Sequence, residues 1–367
     1  MGMPEIVINF REDVGTFLYR LGRGIVCYVH IDAEASTPEY YRIDYKTDTD
    51  TVLASATGKE ELVPIVKRMF DFGASRIIVA VATAFTAVED WLELQRFNYL
   101  ALVSSSDADS GIMDWCEGIE FRAGRKFMLI WDSSETATDA DMKRFVVSVY
   151  PASSTKIPYG TPMDIAAVIA GSSDRSATYV PLVYNNELTE AQLALYPGYK
   201  SDTANQKIDA GQLTIVNDGE KIKVGRAVTT FYKKDTDTPS NDTTKRSFAK
   251  VRPVDIMNMI EDDIRDNFDN QYVGQVLNSY ENKMSFINLI NSVYLAGLEG
   301  TALDPDGENR VDIDVEAHIQ YIKEEGKDPT TMTEAEIRKY NTGDKVYLAG
   351  SLRILDTMED LVINFVI

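Results

Sequence analysis

Cysteine, histidine and tryptophan are scarce in this 367-residue chain, which contains two, two and three of them respectively. Cys27 and Cys116 lack the spacing of a metal or redox pair, and we interpret them as buried thiols. His30 and His318 stand far apart without a patterned partner, so no zinc-type spacing is present. A disulfide-stapled miniprotein is excluded, and the commonest enzyme signatures are missing.

Positive charge is also in deficit, with 37 Lys and Arg against 58 Asp and Glu and a net charge of −21. Because phosphate binding relies on clustered cations, we expect no nucleic-acid partner. The longest apolar runs, such as residues 77–82, are far below the roughly 18 residues of a membrane span, so we expect no direct membrane insertion. The start of the chain has no secretory pattern, which predicts a protein kept in a cytoplasm or in a particle assembled there.

Helix-like and strand-like segments alternate between residues 59 and about 170. A helix predicted over 59–72 leads through Gly73 into an apolar strand at 76–82. Further helices are predicted at 87–96, 139–145 and 162–170. Short apolar strands separated by helices are typical of a sheet with helices on its faces. The sequence therefore predicts an α/β core domain.

The remainder of the chain is more mixed. A hairpin is predicted at 212–224 around Asp218-Gly219, helical periodicity covers 254–277 and 283–298, and residues 311–322 fit either a strand or a helix. We expect a second, α+β domain towards the carboxyl terminus. The predicted organisation is an N-terminal arm (1–20), an α/β domain (21–245), a C-terminal α+β domain (246–350) and a C-terminal arm (351–367).

None of the sequence motifs indicates a catalytic site. Gly58-Lys59 has Leu53 where a phosphate loop needs its first glycine, and the acidic run at 304–316 lacks the glycine and glutamate of a calcium loop. We therefore assign no catalytic residue, no cofactor and no metal, and expect a protein that is not an enzyme. An α/β enzyme that binds a nucleotide or small metabolite within about 59–170 remains the alternative, and a homo-oligomeric scaffold is a third.

The two ends of the chain echo each other. Residues 5–10 and 360–365 both read as an acid, an aliphatic residue and then Val-Ile-Asn-Phe. Apolar residues on both faces of an unpaired strand invite aggregation, so these ends either pair in their own sheet or add as strands to neighbouring copies. The predicted arm contacts are Ile6, Val7, Ile8, Phe10, Leu361, Val362, Ile363 and Phe365.

The free energy of one arm is marginal. Four buried apolar side chains contribute about 6–12 kcal/mol gross. Ordering seven flexible residues costs about 7–14 kcal/mol of backbone entropy. Such an arm docks only where a partly built sheet and further contacts await it, which predicts nucleated, cooperative assembly.

A series of short motifs along nearly the whole chain carries a family resemblance. They are RLGRG at 20–24, FGASRIIV at 72–79, AAVIAG at 166–171, SATY at 176–179, RAVTT at 226–230, DDIR at 262–265, YVGQVLNSY at 272–280, VDID at 311–314 and LDTME at 355–359. In their order and spacing the chain resembles the sheath proteins of contractile phage tails, particularly the compact sheaths of myophages and R-type bacteriocins of clostridial type.

The resemblance implies a structural subunit without enzymatic activity. Such subunits stack as sixfold discs around a tail tube, their terminal arms complete a small sheet in the C-terminal domain of neighbours, and contraction drives the tube through a target cell envelope. The implied partners are further copies, the tail tube protein, and baseplate and tail terminator proteins. The implied location is a phage or phage-tail-like particle assembled in the bacterial host cytoplasm.

Acidic side chains are concentrated between residues 251 and 340, with 19 acids against 8 bases. The resemblance implies that this domain points towards the tube. We hypothesise that weak, salt-sensitive pairs with basic tube residues form here, the alternative being a solvated acidic face. The candidate tube-facing residues are Glu261, Asp262, Asp263, Asp266 and Asp269.

Overall fold

The fold is described from a computed structural model in two compact units. The described residues are 23–103, 111–123, 126–133, 142–152, 157–172, 175–231 and 246–363. Among them, the large unit comprises 23–260, 300–304 and 353–363, and the small unit comprises 261–299 and 305–352. The predicted arm residues Ile6, Val7, Ile8, Phe10 and Phe365 lie outside the described residues.

Strands and helices alternate through the large unit. Its strands are β1 (Ile25–Ile31), β2 (Glu39–Ile43), β3 (Arg76–Ala82), β4 (Tyr99–Leu102), β5 (Met128–Trp131), β6 (Val146–Tyr150), β7 (Pro181–Tyr184), β8 (Gln212–Asn217) and β9 (Lys221–Val224). Its helices are α1 (Thr49–Val52), α2 (Lys59–Phe72), α3 (Glu89–Glu93), α4 (Ile112–Ala123), α5 (Pro162–Ala170), α6 (Glu190–Leu193) and α7 (Asp202–Asp209). Helix α8 (Val251–Gln271) begins in the large unit and ends in the small one.

In the described part of the chain, the strands of the large unit form one nine-stranded sheet in the order β2-β3-β1-β4-β5-β6-β8-β9-β7. The centre from β3 to β8 is parallel, with Val26 of β1 in register with Ile77 of β3 and Tyr99 of β4. Strand β2 and the β9–β7 pair are antiparallel. Parallel strands buried on both faces require helices on both sides, which explains the nearly continuous apolar sequence of β3. The predicted α/β class is confirmed.

Two glycines set the close approach of α2 and α5. Gly73 ends α2 with a φ of +115°, a conformation that favours glycine. A Cβ on Gly73 would lie 2.6 Å from the Cα of Gly171, and a Cβ on Gly171 would lie 2.5 Å from the carbonyl oxygen of Phe72. The motifs at 72–79 and 166–171 therefore meet at one helix contact.

The start of α5 is fixed by a capping box. The Thr161 side chain accepts from the Asp164 amide, and the Asp164 carboxylate accepts from the Thr161 amide. The second carboxylate oxygen of Asp164 accepts from Arg68 of α2 at 2.7 Å. Because the Asp164 side chain is fully buried, this ion pair ties α2 to α5 and satisfies a charge that would otherwise be costly.

The small unit combines helices with a two-stranded sheet. After α8 come α9 (Tyr280–Leu289), a π-helical segment (Ile290–Leu295), α10 (Ala296–Leu298), strand β10 (Arg310–Ile313), α11 (Val315–Glu324), α12 (Glu334–Lys339) and strand β11 (Leu348–Ser351). The ambiguous stretch at 311–322 is a strand followed by a helix, with Asp314 as the N-cap between them. The predicted α+β character is confirmed, whereas completion of its sheet by neighbouring copies stays a prediction.

Candidate functional site: the anchor of the C-terminal segment

Backbone hydrogen bonds hold the beginning of the C-terminal segment on the large unit. The amide of Asp304 donates to the carbonyl of Arg353 at 2.8 Å, and the amide of Leu355 donates to the carbonyl of Ala302 at 2.9 Å. The guanidinium of Arg252 donates to the carbonyl of Leu355 at 3.0 Å. The path of the chain up to Leu355 is therefore fixed mainly by backbone groups, and most side chains of this segment do not contribute to it.

Five charged side chains, the anchor cluster, hold the next residues: Arg226, Lys250, Asp356, Glu359 and Asp360. Arg226 Nη2 lies 2.7 Å from Asp360 Oδ2, and Arg226 Nε lies 3.5 Å from Glu359 Oε2. Lys250 Nζ lies 2.5 Å from Asp356 Oδ2 and 3.1 Å from Glu359 Oε2. Each cation thus bridges two carboxylates of the C-terminal segment.

Glu359 is the central member of the anchor cluster. Its side chain is 6% exposed, whereas that of Asp360 is 77% exposed. The Thr178 hydroxyl donates to Glu359 Oε1 at 2.9 Å, and the same hydroxyl oxygen accepts from the amide of Ala227 at 3.1 Å. A buried carboxylate needs such partners. Glu359 therefore contributes more to holding the segment than Asp360, whose exposed ion pair is screened by water.

The anchor cluster also changes the pKa of Lys250. Burial opposes the charge on its ammonium group, but hydrogen bonds to Asp356 and Glu359 outweigh burial and raise the pKa of Lys250. Lys250 is therefore charged throughout the physiological pH range, and the anchor does not loosen near neutral pH.

Three motifs that the sequence presents separately meet at this anchor. Thr178 belongs to SATY, Arg226 to RAVTT, and Asp356 and Glu359 to LDTME. Sequence reasoning did not predict the cluster, because Thr178 and Glu359 are 181 residues apart and no periodicity links them. The one available signal was that all three motifs carry the same family resemblance.

Immediately after the anchor cluster, three apolar side chains are left on the surface. Leu361, Val362 and Ile363 are 83%, 84% and 58% exposed, and they belong to none of the strands in the described part of the chain. Burying each of them would contribute roughly 1.5–3 kcal/mol. The structure thus places an exposed apolar sequence directly after a segment that is held by hydrogen bonds and ion pairs.

The five acidic residues of α8 that were predicted to face the tube differ in their exposure. Asp263 is buried, with its carboxylate accepting from the Tyr294 hydroxyl at 2.7 Å, so its prediction as a surface contact is corrected. Glu261 is half-buried and pairs with Arg265 at 2.5 Å. Asp262 and Asp266 are half-buried and Asp269 is exposed. Contact of these four acids with a tube stays a prediction.

A cavity of about 540 Å³ lies at the carboxyl end of β1, a position where α/β sheets commonly bind ligands. Its polar lining serves structural contacts: the Tyr28 hydroxyl lies 2.8 Å from His30 Nδ1, Arg68 pairs with Asp164, and Thr161 caps α5. These contacts favour a packed scaffold over a catalytic site. In the described ranges, no three His, Cys, Asp or Glu side chains converge as metal ligands.

No helix among the described residues is both long and apolar enough to cross a membrane.

Comparison with known proteins shows a family similarity in the C-terminal part of the chain. Residues 243–367 match the family described as the phage tail sheath C-terminal domain. This part of the chain is therefore similar to the C-terminal domain of phage tail sheath proteins. The tail sheath protein of Clostridium phage phiCD119 is 25% identical, over 99% of each chain. The resemblance to contractile tail sheath proteins is confirmed, and it extends along the whole length.

Solved sheath structures share this fold. The sheath tail protein of Desulfitobacterium hafniense has a TM-score of 0.56 at 14% identity, covering 85% of this chain and 94% of that one. The helical sheath of the anti-feeding prophage in its contracted state has a TM-score of 0.59 at 16% identity, covering 100% and 99%. All three of these proteins are sheath proteins.

Proposed function

We propose that this chain is the structural subunit of a contractile tail sheath, which polymerises around a tail tube and contracts to drive the tube through a target cell envelope. The observation that carries the proposal is the anchored C-terminal segment, whose Leu361, Val362 and Ile363 are exposed beyond the anchor cluster. The relationship of the whole chain to sheath proteins supports it.

The anchored segment suits a mechanical link between subunits. An exposed extended segment binds another protein by adding a strand to a sheet, because its backbone groups then find hydrogen-bond partners. The small unit has a suitable acceptor, since a two-stranded sheet is marginal alone and gains stability from a further strand. The anchor keeps each link attached to its own subunit while subunits slide and rotate during contraction.

The proposed assembly has the partners that the family resemblance implies. Copies form sixfold discs stacked helically around the tail tube protein, with baseplate and tail terminator proteins at the two ends. The particle is a phage tail or a tail-like bacteriocin, assembled in the host cytoplasm. The C-terminal domain at 246–350 lies next to the tube in this arrangement.

Electron microscopy of the purified full chain tests the proposal. We expect long tubular polymers from the unmodified chain, and only soluble subunits from the double variant Leu361→Asp, Ile363→Asp, with an unchanged melting temperature. Met358→Asp is the matched control, because Met358 is a fully exposed apolar residue of the same segment that precedes the proposed strand. Normal polymers from the double variant would contradict the role of the segment.

A charge-reversal experiment tests the tube contact separately. Exposed ion pairs are weak individually and are screened by salt, so several together hold register and still release on contraction. The triple variant Asp262→Lys, Asp266→Lys, Asp269→Lys should form sheath-like polymers that no longer decorate purified tubes. Asp263 is left unchanged because it is buried. Undiminished tube decoration by the triple variant would eliminate the contact.

A further inference from the structure

We infer that Tyr179 and Tyr199, with the cations Lys200 and Lys223, form a contact surface on the large unit for the acidic small unit of a second copy. These four residues are the tyrosine patch. The inference rests on the proposed function, because it places a further contact between subunits beside the point where the C-terminal segment leaves its own subunit. The contact joins two folded surfaces and is distinct from strand addition.

The two tyrosine rings of the patch are exposed and held in a fixed arrangement. Tyr179 and Tyr199 are 40% and 38% exposed, their hydroxyl oxygens lie 2.8 Å apart, and their rings meet edge to face with centres 5.9 Å apart. Tyrosine combines a large apolar ring with a polar hydroxyl and is enriched among the residues that dominate the free energy of binding at protein interfaces. The pair therefore has the character of a binding surface.

Backbone hydrogen bonds attach both tyrosines to the sheet. The amide of Tyr179 donates to the carbonyl of Val224 at the end of β9 at 2.9 Å. The amide of Tyr199 donates to the carbonyl of Asn217 at the end of β8 at 2.8 Å. Side chains that are already positioned lose little conformational freedom when a partner binds. The tyrosine patch is thus organised before any partner arrives.

Each of the two segments that form the patch contains a residue with a strained backbone. Tyr179 has a φ of +62° and Lys200 a φ of +60°, and these are the two non-glycine residues with positive φ in the described part of the chain. Glycine would adopt this conformation without strain, whereas a bulky side chain rarely does. Strained residues are concentrated at functional sites. Their meeting at one surface indicates that the side chains of Tyr179 and Lys200 are used.

Two lysines give the patch its positive charge. Lys223 Nζ lies 4.7 Å from the centre of the Tyr179 ring and 4.5 Å from that of Tyr199, and it pairs with Asp218 at 2.9 Å. Lys200 Nζ lies 5.4 Å from the centre of the Tyr199 ring, and no carboxylate among the residues that the structure describes pairs with it. Since interfaces place opposite charges against each other, Lys200 favours an acidic partner.

The chain itself offers such an acidic partner. Residues 251–340, most of which belong to the small unit, contain 19 acids against 8 bases. Among them, Glu316 and Glu324 of α11 are exposed. The unpaired cation on the large unit and the excess of carboxylates on the small unit are therefore complementary between two copies.

The tyrosine patch adjoins the anchor cluster. Thr178, which donates to Glu359, directly precedes Tyr179 in the chain. The neighbouring tyrosine hydroxyl raises the pKa of Tyr179 to about 12, and Arg226 and Asp360 are close enough to influence this pKa as well. In the proposed function, the copy that receives the segment beyond Asp360 does so with its small unit. That small unit is thereby brought next to the patch, so that segment and patch form one continuous interface.

Glycine substitution in the full chain separates backbone strain from contact. The double variant Tyr179→Gly, Lys200→Gly keeps the backbone conformation without strain, so the melting temperature should stay close to that of the unmodified chain. The subunit concentration needed for polymerisation should rise about ten-fold or more. Tyr45→Ala is the matched control and should polymerise normally, because Tyr45 is 70% exposed and follows β2 at the opposite edge of the sheet. An equal loss of polymers from Tyr45→Ala would refute the specific role of the patch.

Charge reversal tests the acidic partner without changing either tyrosine. Lys200→Glu should also raise the concentration needed for polymerisation, with a smaller effect at high salt, because salt screens exposed charges. Lys59→Glu makes the same change of charge at an exposed lysine at the start of α2 and should polymerise normally. If Lys200→Glu and the glycine variant both polymerise normally while Leu361→Asp, Ile363→Asp does not, the tyrosine patch is overturned and the proposed function stands.

Crosslinking identifies the occupant of the patch. Photoreactive benzoylphenylalanine replaces Tyr199 in the full chain, which keeps an aromatic side chain at this position, and isotope-labelled and unlabelled copies are mixed before polymerisation. Mass spectrometry should find crosslinks from position 199 to residues 261–299 or 305–352 of a different copy. Crosslinks that stay within one copy, or that reach only the large unit of another, would overturn the assigned occupant.

Discussion

The variant Glu359→Gln isolates the charge at the centre of the anchor cluster while keeping the size of the side chain. The unmodified carboxylate is 6% exposed, accepts from Thr178 at 2.9 Å and lies 3.1 Å from Lys250. The amide of the variant can still accept from Thr178, but it carries no charge for Lys250 or Arg226. We expect the C-terminal segment to detach more often from its own subunit.

The size of the effect depends on the carboxylates that the two cations retain. Lys250 keeps Asp356 at 2.5 Å and Arg226 keeps Asp360 at 2.7 Å, so neither is left without a carboxylate. The loss is then that of a buried charge-assisted hydrogen bond, about 1.5–3 kcal/mol. At 1.4 kcal/mol for each factor of ten, the population of the detached state rises about 10- to 150-fold.

Native-state hydrogen exchange of the Leu355 amide measures this detachment, because that amide donates to Ala302 only while the segment is docked. Asp360→Asn is the matched control, since it removes one charge from the same segment and the same Arg226 partner at a site 77% exposed. An exposed pair contributes about 0.2–1 kcal/mol, so exchange should rise less than about six-fold. An equal or larger effect of Asp360→Asn would refute the assignment of Glu359 as the central residue.

Further predictions concern packing and pH. Gly171→Ala should lower the free energy of unfolding by about 1–3 kcal/mol in urea titrations, because its Cβ would meet a backbone oxygen. Gly297→Ala, with no atom within 4 Å of the added Cβ, should be neutral or stabilising. Since the pKa of Lys250 is raised, its contribution is present below about pH 10.4 and lost as the pH rises further, which fluorescence anisotropy of a dye on the C-terminal segment would detect. Hydrogen bonding from Lys223 lowers the pKa of Asp218 to about 2, so its contribution is lost between about pH 4 and 2, and Asp218→Asn should remove that part of the acid dependence of Tm.

Local patterns predicted many elements of the large unit. Helix α2 has the predicted bounds of 59–72, and strand β3 and helix α5 also agree in bounds with the prediction. These segments combine a clear periodicity with strong end signals, such as Gly73 after α2 and the Thr161 cap before α5. Where both signals are present, a single sequence is sufficient to place an element.

Other elements differ from the prediction because short apolar segments carry little periodicity. The helix predicted at 87–96 is reduced to α3, Glu89–Glu93, and the one predicted at 139–145 appears in the described residues as a single 3₁₀ turn, Met142–Phe145. Strand β7 and helix α7 were not predicted at all. The placement of β7 depends on its pairing with β9, which is distant in sequence. Helix α7 packs against β8, the next strand in the chain, and is too short to show a clear periodicity.

The candidate site shows the same contrast between features that have a local sequence pattern and features that depend on distant contacts. The exposed sequence at Leu361 was visible from the echo of the two ends, because apolar residues on both faces are a local pattern. The anchor cluster could not be predicted from the sequence, because its members come from distant segments of the chain. Asp263 was predicted to face the tube because it lies in an acidic stretch of the domain that the resemblance places towards the tube, but it is buried and accepts a hydrogen bond from the Tyr294 hydroxyl. A residue type alone does not reveal such a compensating partner.

The anchor changes the free-energy balance of strand addition. Docking a seven-residue arm gains about 6–12 kcal/mol from apolar burial against about 7–14 kcal/mol of backbone entropy. If residues 353–360 were also disordered before docking, ordering these eight residues would add about 8–16 kcal/mol and make the link unfavourable. The anchor cluster orders residues 353–360 when the subunit folds, so that strand addition would not include this cost. Weakening the contacts of Glu359 should therefore raise the subunit concentration needed for polymerisation.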